Sequence, residues 1–258
     1  MGLSQKSCKH GRYNDIKTAT YPEVTMSARP KIMTLPVIVQ VFVFVILVPF
    51  LPMLISWHWD WWEGWYYALL GILGFIVSRV LAAKKHPDLI AERAKFTRHE
   101  DIQPWDKVLA RLLGLGSALV PLTAGLDMRY GWSMLKLGLG WKLAAIVLMT
   151  AGFALGAWAL VENRFFSGVV RIQKERGHHV VSSGPYAWVR HPGYAGALLT
   201  YLLSPLLLDS LWTFVPAGLL TILLIVRTAL EDQALQAELP GYQAYTRKTR
   251  YRLLPGIW

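Results

Sequence analysis

Long apolar runs separated by short polar stretches form the main pattern along this chain. Several runs hold about 20 residues, the length that a helix rising 1.5 Å per residue needs to cross the roughly 30 Å hydrocarbon core of a bilayer. Four runs predict membrane-spanning helices, over 32–57, 61–82, 108–126 and 141–161. The third is the weakest because it contains Gly114, Gly116 and Pro121.

A fifth apolar stretch, 193–230, is too long for one helix. Ser204-Pro205 and Leu208-Asp209-Ser210 interrupt it, and residues of these types favour a turn. The stretch therefore predicts a helical hairpin. Together with the four spans, the pattern predicts an all-α integral membrane protein with about five to six transmembrane helices.

Composition supports the same class. Of the 258 residues, 54% are apolar and 17% are charged, whereas soluble domains carry about a quarter charged residues. This composition excludes an ordinary soluble globule, a disordered chain and a coiled coil. The single Cys8 excludes a disulfide framework or a thiolate zinc site. Histidines outside the C-terminal region are scattered, so no metal site is expected: His10, His58, His86 and His99.

The net charge of +11 comes from basic residues that gather beside the predicted spans. Such loops are more typical of a membrane protein than of a nucleic-acid binder. The pattern divides the chain into a tail at 1–31, four spans over 32–161 with a basic loop at 83–107, and a C-terminal region at 162–258. The positive-inside rule then predicts that both termini, the 83–107 loop and the 162–192 segment lie in the cytoplasm.

The first segment that suggests chemistry is His178-His179-Val180-Val181-Ser182-Ser183-Gly184-Pro185-Tyr186. Gly-Pro predicts a turn, and the valine pair predicts a short extended stretch before it. An extended backbone offers unpaired N–H and C=O groups that can bind a ligand with an adenine and a ribose. An ordinary interfacial loop is the alternative interpretation.

The second segment is Arg190-His191-Pro192-Gly193-Tyr194, at the start of the predicted hairpin. Proline is well placed in the first turn of a helix, where its missing N–H has no partner to lose. The other first-turn N–H groups can receive a carboxylate, and His191 can donate to it. A helix start with an interfacial histidine and tyrosine is the alternative.

The third feature is the pair Arg227 and Glu231, which a spacing of four places on one helical face. An intrahelical ion pair is the simple interpretation. Charges this close to hydrocarbon usually face a cavity or a partner, however. Glu231 can hold a ligand ammonium, and Arg227 can bind a carboxylate or phosphate with its planar fork. Asp232 points to another side and is expected to be solvated.

These segments resemble the isoprenylcysteine carboxyl methyltransferase family of integral membrane enzymes. The resemblance rests on three stretches in order: His178–Tyr194, Arg227–Leu235 and Gly241–Trp258. No GxGxxG, Walker, HExxH or nucleophile motif accompanies them. The four N-terminal spans match the family only in character. The resemblance implies a cofactor pocket on the cytoplasmic side, formed by the C-terminal segments, and S-adenosyl-L-methionine as the cofactor without a Rossmann fold.

The resemblance also implies roles for individual residues. His178, His179, Val180 and Val181 would line the adenosine part of the cofactor, and Tyr186 would close it. His191 and Tyr194 would hold the methionine end, with Pro192 and Gly193 shaping the turn, and Glu231 would bind the amino group. Arg227 would bind the substrate carboxylate. Eukaryotic members have a cofactor-contacting glutamine seven residues before the first histidine, where this chain has Arg171, with Gln173 nearby.

The expected reaction is in-line transfer of a methyl group to a lipidic or prenylated acceptor from the bilayer. A carboxylate acceptor is ionised at neutral pH, with an ordinary pKa of about 3.5–4, so it needs no general base. A phospholipid amine or a small thiol is the alternative acceptor. Membrane lipids are the other expected partners, with neither nucleic acid nor an obligate protein partner.

Two alternatives belong to other classes. A sterol-type membrane reductase would use NADPH, and Arg247, Lys248, Arg250 and Arg252 offer themselves for its 2′-phosphate. Attraction of these residues to anionic lipid is the simpler interpretation. A transporter or scaffold is disfavoured because the sequence shows no internal repeat. The residues of these motifs resemble those of prokaryotic members of the family, which implies a bacterial inner membrane.

Overall fold

The computed structural model describes residues 38–39, 41–94, 99–133 and 136–258. The predicted tail at 1–31 lies outside these residues, and so do residues 32–37 and 40 of the predicted 32–57 span. Over the described ranges the chain is helical, without strands. This confirms the predicted all-α class.

Apart from two short 3-10 helices, Lys174–Arg176 and Gly184–Ala187, nine helical elements follow one another along the described residues. In chain order they are α1 (Phe42–Ser56), α2 (Trp62–Lys85), α3 (Pro87–Ala94), α4 (Pro104–Gly116), α5 (Leu119–Tyr130), α6 (Leu139–Glu162), α7 (Pro192–Leu207), α8 (Phe214–Glu238) and α9 (Tyr242–Lys248). Within α1 the hydrogen-bond pattern passes from π to 3-10 to α geometry around Pro49 and Pro52. A proline lacks the N–H that would continue a regular ladder, which accounts for the change.

Four helical runs are long and apolar enough to cross a membrane: α2, α6, α8 and the run Pro104–Tyr130 formed by α4 and α5. They correspond to three of the predicted spans and to the second arm of the predicted hairpin. The helices and their composition make the chain an integral membrane protein. The third span is divided near Gly116, and Pro121 lies in the first turn of α5, where its missing N–H is tolerated.

The predicted hairpin consists of α7, a turn at 208–213 and α8. Asp209 in this turn has a φ of 52°, a left-handed conformation that lets the chain reverse. Pro205 does not end α7, because it falls in the last turn of the helix and α7 continues to Leu207. With 16 residues, α7 is shorter than the roughly 20 residues that a full crossing needs.

Close packing of α6 against α7 positions the C-terminal region. Gly152 and Gly196 face each other at the crossing, and a Cβ atom on either residue would overlap the backbone of the other helix. Small residues let membrane helices approach to this distance and gain dispersion contacts. The contact brings the start of α7 beside the last turn of α6.

Polar contacts link the chain at both ends of the bundle. At one end Lys142 forms ion pairs with Glu63 and with Asp209, the latter at 2.6 Å. At the opposite end Lys85 Nζ lies 2.8 Å from Glu162 Oε2, where α2 and α6 both end. The segment between α6 and α7 and the residues after α8 lie at this second end.

Candidate functional site

A polar cleft lies where α6 ends, α7 begins and α8 ends. It encloses about 780 Å³, its open mouth included. Nine of the eleven residues predicted as site residues line it: His178, His179, Val180, Val181, Tyr186, His191, Gly193, Tyr194 and Glu231. Pro192 and Arg227 do not. The folded chain thus brings together residues that lie up to 53 positions apart (178 to 231) in the sequence.

The segment from His178 to Val181 forms one wall of the polar cleft without regular secondary structure. The His178 ring stacks on Phe165, with centroids 4.5 Å apart. The backbone N–H and C=O groups of Val180 and Val181 form no hydrogen bonds with other described residues. They are therefore available to a ligand, as the sequence predicted for an extended stretch.

Burial lowers the pKa of His178 to about 4, and the neighbouring His179 adds to the shift. The wall therefore carries a neutral imidazole at physiological pH. A neutral ring stacked on Phe165 presents an apolar face to a ligand, with no positive charge that would have to be desolvated.

The lowered pKa predicts a pH dependence of stability. The unfolded chain binds more protons than the folded chain between pH 6.5 and 4, so the contribution of neutral His178 is complete above pH 6.5 and is lost toward pH 4. We expect His178→Asn to flatten the acid limb of a plot of melting temperature against pH. His179→Asn is the matched control, because His179 is exposed. Identical acid limbs for the wild type and His178→Asn would contradict the prediction.

The start of α7 forms the opposite wall of the cleft. Pro192 is the first residue of α7 and is buried, while Gly193 and Tyr194 face the cleft. The His191 ring lies parallel to the Tyr194 ring at 5.7 Å. The Tyr194 hydroxyl donates a 2.6 Å hydrogen bond to Glu231 Oε2. No cation lies within ion-pair distance of Glu231 among the described residues.

Aromatic residues form the floor of the cleft. Tyr186 is buried, and its carbonyl accepts a 2.6 Å hydrogen bond from the Tyr245 hydroxyl. Burial raises the pKa of Tyr245 to about 12, so its hydroxyl remains a donor at neutral pH. The sequence assigned no role to Phe165, Tyr242 or Tyr245, which also line the cleft. The sequence signal that could have identified Tyr242 and Tyr245 is their spacing, which places both on one face of α9.

Asp232 is not solvated, contrary to the expectation from the sequence. Its side chain is fully buried, and its oxygens accept from Arg252 Nε at 3.0 Å, the Tyr242 hydroxyl at 3.0 Å and Gln236 Nε2 at 2.9 Å. Arg190 Nε lies 3.1 Å from Oδ1. Asp232 does point away from Glu231, but the side it faces is covered by α9 and by the chain after it.

Arg227 is held by a partner that the sequence did not suggest. Its Nε and Nη2 donate to the two oxygens of Asp106 at 2.7 and 3.0 Å, and Asp106 is fully buried. Asp106 Oδ2 also accepts from the backbone N–H of Val170 at 2.6 Å, and the Val170 carbonyl accepts from Gln103. The Arg227 guanidinium lies 5.5 Å from the centre of the Tyr194 ring, so it stands behind the wall of the cleft.

Arg171 and Gln173 both line the cleft but are used differently. The guanidinium of Arg171 forms ion pairs with Glu92, Asp101 and Glu175. Gln173 is buried, and its Nε2 donates to the Phe165 carbonyl at 2.7 Å. Arg171 therefore ties the cleft wall to the segment before α4, and Gln173 holds the ring on which His178 stacks.

Fold and cleft together define a class: an integral membrane protein of helices with a polar cleft at one end of the bundle. Residues 144–237, about a third of the chain, match the model of the isoprenylcysteine carboxyl methyltransferase (ICMT) family. This match confirms the resemblance seen in the sequence. All eleven predicted site residues fall within it, while the third quoted stretch, 241–258, lies beyond its end.

A curated relative covers a smaller part of the chain. The uncharacterized protein YpbQ of Bacillus subtilis (strain 168) is 43% identical over 61 residues. These residues are 23% of this chain and 36% of that protein. The chain thus matches about a third of the length of this relative.

Proposed function

We propose that this protein transfers a methyl group from S-adenosyl-L-methionine to a lipidic acceptor in the membrane, and that the accepting group is a carboxylate. The observation that carries the proposal is the Glu231 carboxylate. It lies in the polar cleft inside the region that matches the ICMT family, and no described cation pairs with it. A carboxylate in this setting suits the ammonium group of an amino-acid ligand.

The other walls of the cleft fit the remaining parts of the proposed cofactor. The unpaired backbone groups of Val180 and Val181 suit an adenine edge, and neutral His178 offers a flat apolar surface. In the first turn of α7, Tyr194 and Ala195 donate their backbone N–H groups to the His191 carbonyl, and the Gly193 N–H has no partner among the described residues. That N–H group is free to receive a carboxylate near His191. Tyr186 and Gly193 complete the enclosure, with Pro192 setting the direction of the turn.

The proposed reaction requires the protein mainly to position the two reactants. When bound, S-adenosyl-L-methionine supplies a methyl group that its sulfonium already activates. The chain's residues hold the two reactants in line and exclude water. A carboxylate acceptor carries its own negative charge and needs no base. Glu231 and Tyr194 fix one reactant, and Arg227, behind Tyr194, has Nη1 without a partner among the described residues for an acceptor carboxylate.

The reductase alternative finds less support. Arg247, Lys248, Arg250 and Arg252 do not line the polar cleft, and Arg252 is engaged by Asp232. Their proximity to the second end of the bundle suits attraction to anionic lipid instead. The positive-inside pattern of the loops is the basis for proposing that the cleft and both termini face the cytoplasm. The resemblance to prokaryotic members is the basis for proposing a bacterial inner membrane.

Calorimetric titration of the detergent-purified full chain tests the proposal. S-adenosylhomocysteine is titrated in one cell and NADPH in a parallel cell. We expect micromolar binding of the first and none of the second. Binding of NADPH alone would replace the methyltransferase proposal by a reductase. Turnover is then measured with labelled cofactor on carboxylate, amine and thiol amphiphiles of equal chain length, and methylation of the amine or thiol alone would contradict the carboxylate assignment.

A further inference from the structure

The residues that follow α8 carry positive charge that the polar cleft does not use. Between positions 239 and 258 the chain has four Lys or Arg residues and no Asp or Glu. Arg252 is engaged in an ion pair inside the protein. The other three are exposed and have no carboxylate within ion-pair distance among the described residues: Arg247, Lys248 and Arg250. This surface therefore offers three cations to an external anion.

Three large apolar side chains stand beside these cations. Tyr251 is 38% exposed, Leu254 is 40% exposed and Ile257 is 78% exposed, the highest value among the described large apolar side chains. None of the three belongs to a helix. Exposed apolar side chains combined with cations are the features that attach a segment to the interface of an anionic membrane.

Packing places the 247–258 segment against the side of the bundle. Leu253 belongs to a buried cluster with Leu113 of α4, Leu198 of α7 and Leu224 of α8, and Trp258 packs against the same cluster. The run that contains α4 and the helix α8 are both long and apolar enough to cross a membrane. The exposed residues on either side of Leu253 therefore lie where the lipids that surround these helices can reach them.

The backbone of this segment is closed on itself, which suits it to apolar surroundings. The Trp258 carbonyl accepts hydrogen bonds from the N–H groups of Arg252 at 2.8 Å and Leu253 at 3.0 Å. The Ile257 N–H donates to the Leu254 carbonyl at 3.2 Å. Unpaired backbone groups would be costly in the hydrocarbon of a leaflet. Because these groups are paired, the apolar side chains can enter the leaflet without exposing them.

Two backbone hydrogen bonds connect the 247–258 segment to the polar cleft. The Arg190 N–H donates to the Tyr251 carbonyl and the His191 N–H to the Arg252 carbonyl, each at 2.9 Å. Both Arg190 and His191 line the cleft. Arg252 Nε also donates to Asp232 at 3.0 Å, and Arg190 Nε lies 3.1 Å from the same carboxylate. A displacement of the segment is therefore transmitted to the His191 wall of the cleft.

We propose that the 247–258 segment binds the surface of an anionic leaflet, and that this contact holds the polar cleft in its ligand-binding arrangement. The apolar side chains enter the leaflet, and the three cations bind lipid phosphates. The occupant is a lipid surface rather than an acidic protein, because Leu253 and Trp258 fix the segment beside spanning helices. The second part of the inference rests on the proposed function, since it concerns the cofactor site.

The contact with lipid is tested with the environment-sensitive fluorophore NBD on Ile257→Cys. The background is Cys8→Ser, because Cys8 is the single cysteine. The full chain is placed in nanodiscs of phosphatidylcholine and phosphatidylglycerol in which only one of the two lipids carries bromine on its acyl chains. We expect blue-shifted emission, and stronger quenching by brominated phosphatidylglycerol than by brominated phosphatidylcholine at the same mole fraction.

The same label on Lys174→Cys is the control, since Lys174 is exposed at the same end of the bundle beside the charged Glu175. That label should emit as it does in water. A label at position 257 that also emits as in water would overturn the proposal and would favour an acidic protein as the partner of this surface.

The cations are tested by changing Arg247, Lys248 and Arg250 together to glutamine. Each cation near an anionic surface is worth about a fivefold local enrichment, so this triple variant should lose the preference for brominated phosphatidylglycerol. About 0.5 M NaCl should weaken the preference of the wild type in the same way. The matched control changes three exposed cations of α2 and α4 to glutamine: Lys84, Lys107 and Arg111. An equal preference in both triple variants would overturn the assignment of the three cations.

The coupling to the cleft is tested by calorimetry with S-adenosylhomocysteine in nanodiscs with and without phosphatidylglycerol. We expect a dissociation constant about fivefold lower with the anionic lipid, at the lower end of ordinary couplings between two sites. The variant at 247, 248 and 250 should bind equally in both nanodiscs, whereas the control triple variant should behave as the wild type. Equal wild-type affinities would overturn the coupling. Failure of the wild type to bind in either nanodisc would overturn the proposed methyl transfer and the coupling with it, whereas the fluorophore measures the lipid contact without any ligand.

Discussion

Replacing Asp232 by alanine is expected to lower the free energy of unfolding by about 3–5 kcal/mol, the range found when one member of a buried ion pair is removed. In a chain of this size that corresponds to a fall in melting temperature of about 10 °C. The reason is that Arg190, Arg252 and the Tyr242 hydroxyl all depend on Asp232, whose side chain is fully buried. The measurement is thermal unfolding in detergent, followed by tryptophan fluorescence.

Asp88→Ala is the matched control for this change. Asp88 also contacts two arginines, Arg164 at 2.8 Å and Arg176 at 2.7 Å, but 44% of its side chain is exposed. Water replaces the lost contacts there, so we expect a loss of about 0–1 kcal/mol. Asp232→Asn keeps the acceptor oxygen and should lie between the two. Equal melting temperatures for Asp232→Ala and Asp88→Ala would show that burial of Asp232 contributes nothing.

Replacing the adjacent Glu231 by glutamine should have the opposite effect, because it should weaken ligand binding and leave the stability of the protein unchanged. We expect the dissociation constant for S-adenosylhomocysteine to rise about tenfold or more, because the amide cannot form a charge-assisted bond with an ammonium group. The glutamine oxygen can still accept from the Tyr194 hydroxyl, which lies 2.6 Å from Glu231 Oε2. The melting temperature without ligand should therefore stay near that of the wild type.

Glu238→Gln controls for the removal of one negative charge from the same helix. Glu238 is exposed at the end of α8, outside the polar cleft, and accepts a hydrogen bond from Gln103. Its variant should bind S-adenosylhomocysteine with wild-type affinity. A Glu231→Gln protein that binds as tightly as the Glu238→Gln protein would refute the role of Glu231 in cofactor binding.

The spans could be predicted because hydropathy and helix length are local properties. The runs 61–82 and 141–161 differ from α2 and α6 by no more than three residues at either end. The hairpin was also predictable, but the end of α7 was not, since Pro205 can occupy a last turn whose carbonyl groups find partners beyond the helix. Ser210, for example, donates its backbone N–H to the Pro205 carbonyl at 3.0 Å.

The predicted residues of the cleft lie in a few short segments of the sequence, and the resemblance to a family indicated that these segments act together. Contacts between residues far apart in the sequence could not be predicted in this way. Helical spacing showed that Asp232 faces away from Glu231, but not that α9 returns across the end of α8 and covers it. In the same way, nothing near Arg227 in the sequence indicates Asp106, which lies 121 positions away. Sequence patterns give the face of a helix, and only the fold gives what covers that face.

The pairing of Asp106 with Arg227 bears on how this protein can be divided and recombined. Asp106 also holds the backbone of Val170, and Arg93 holds the carbonyl of Phe166, so the strip of chain beneath the cleft is fastened from the N-terminal half. Residues 144–237 are therefore not a transplantable module. A chimaera that moves this region onto the spans of another membrane protein would have to bring Asp106 and Arg93 with it.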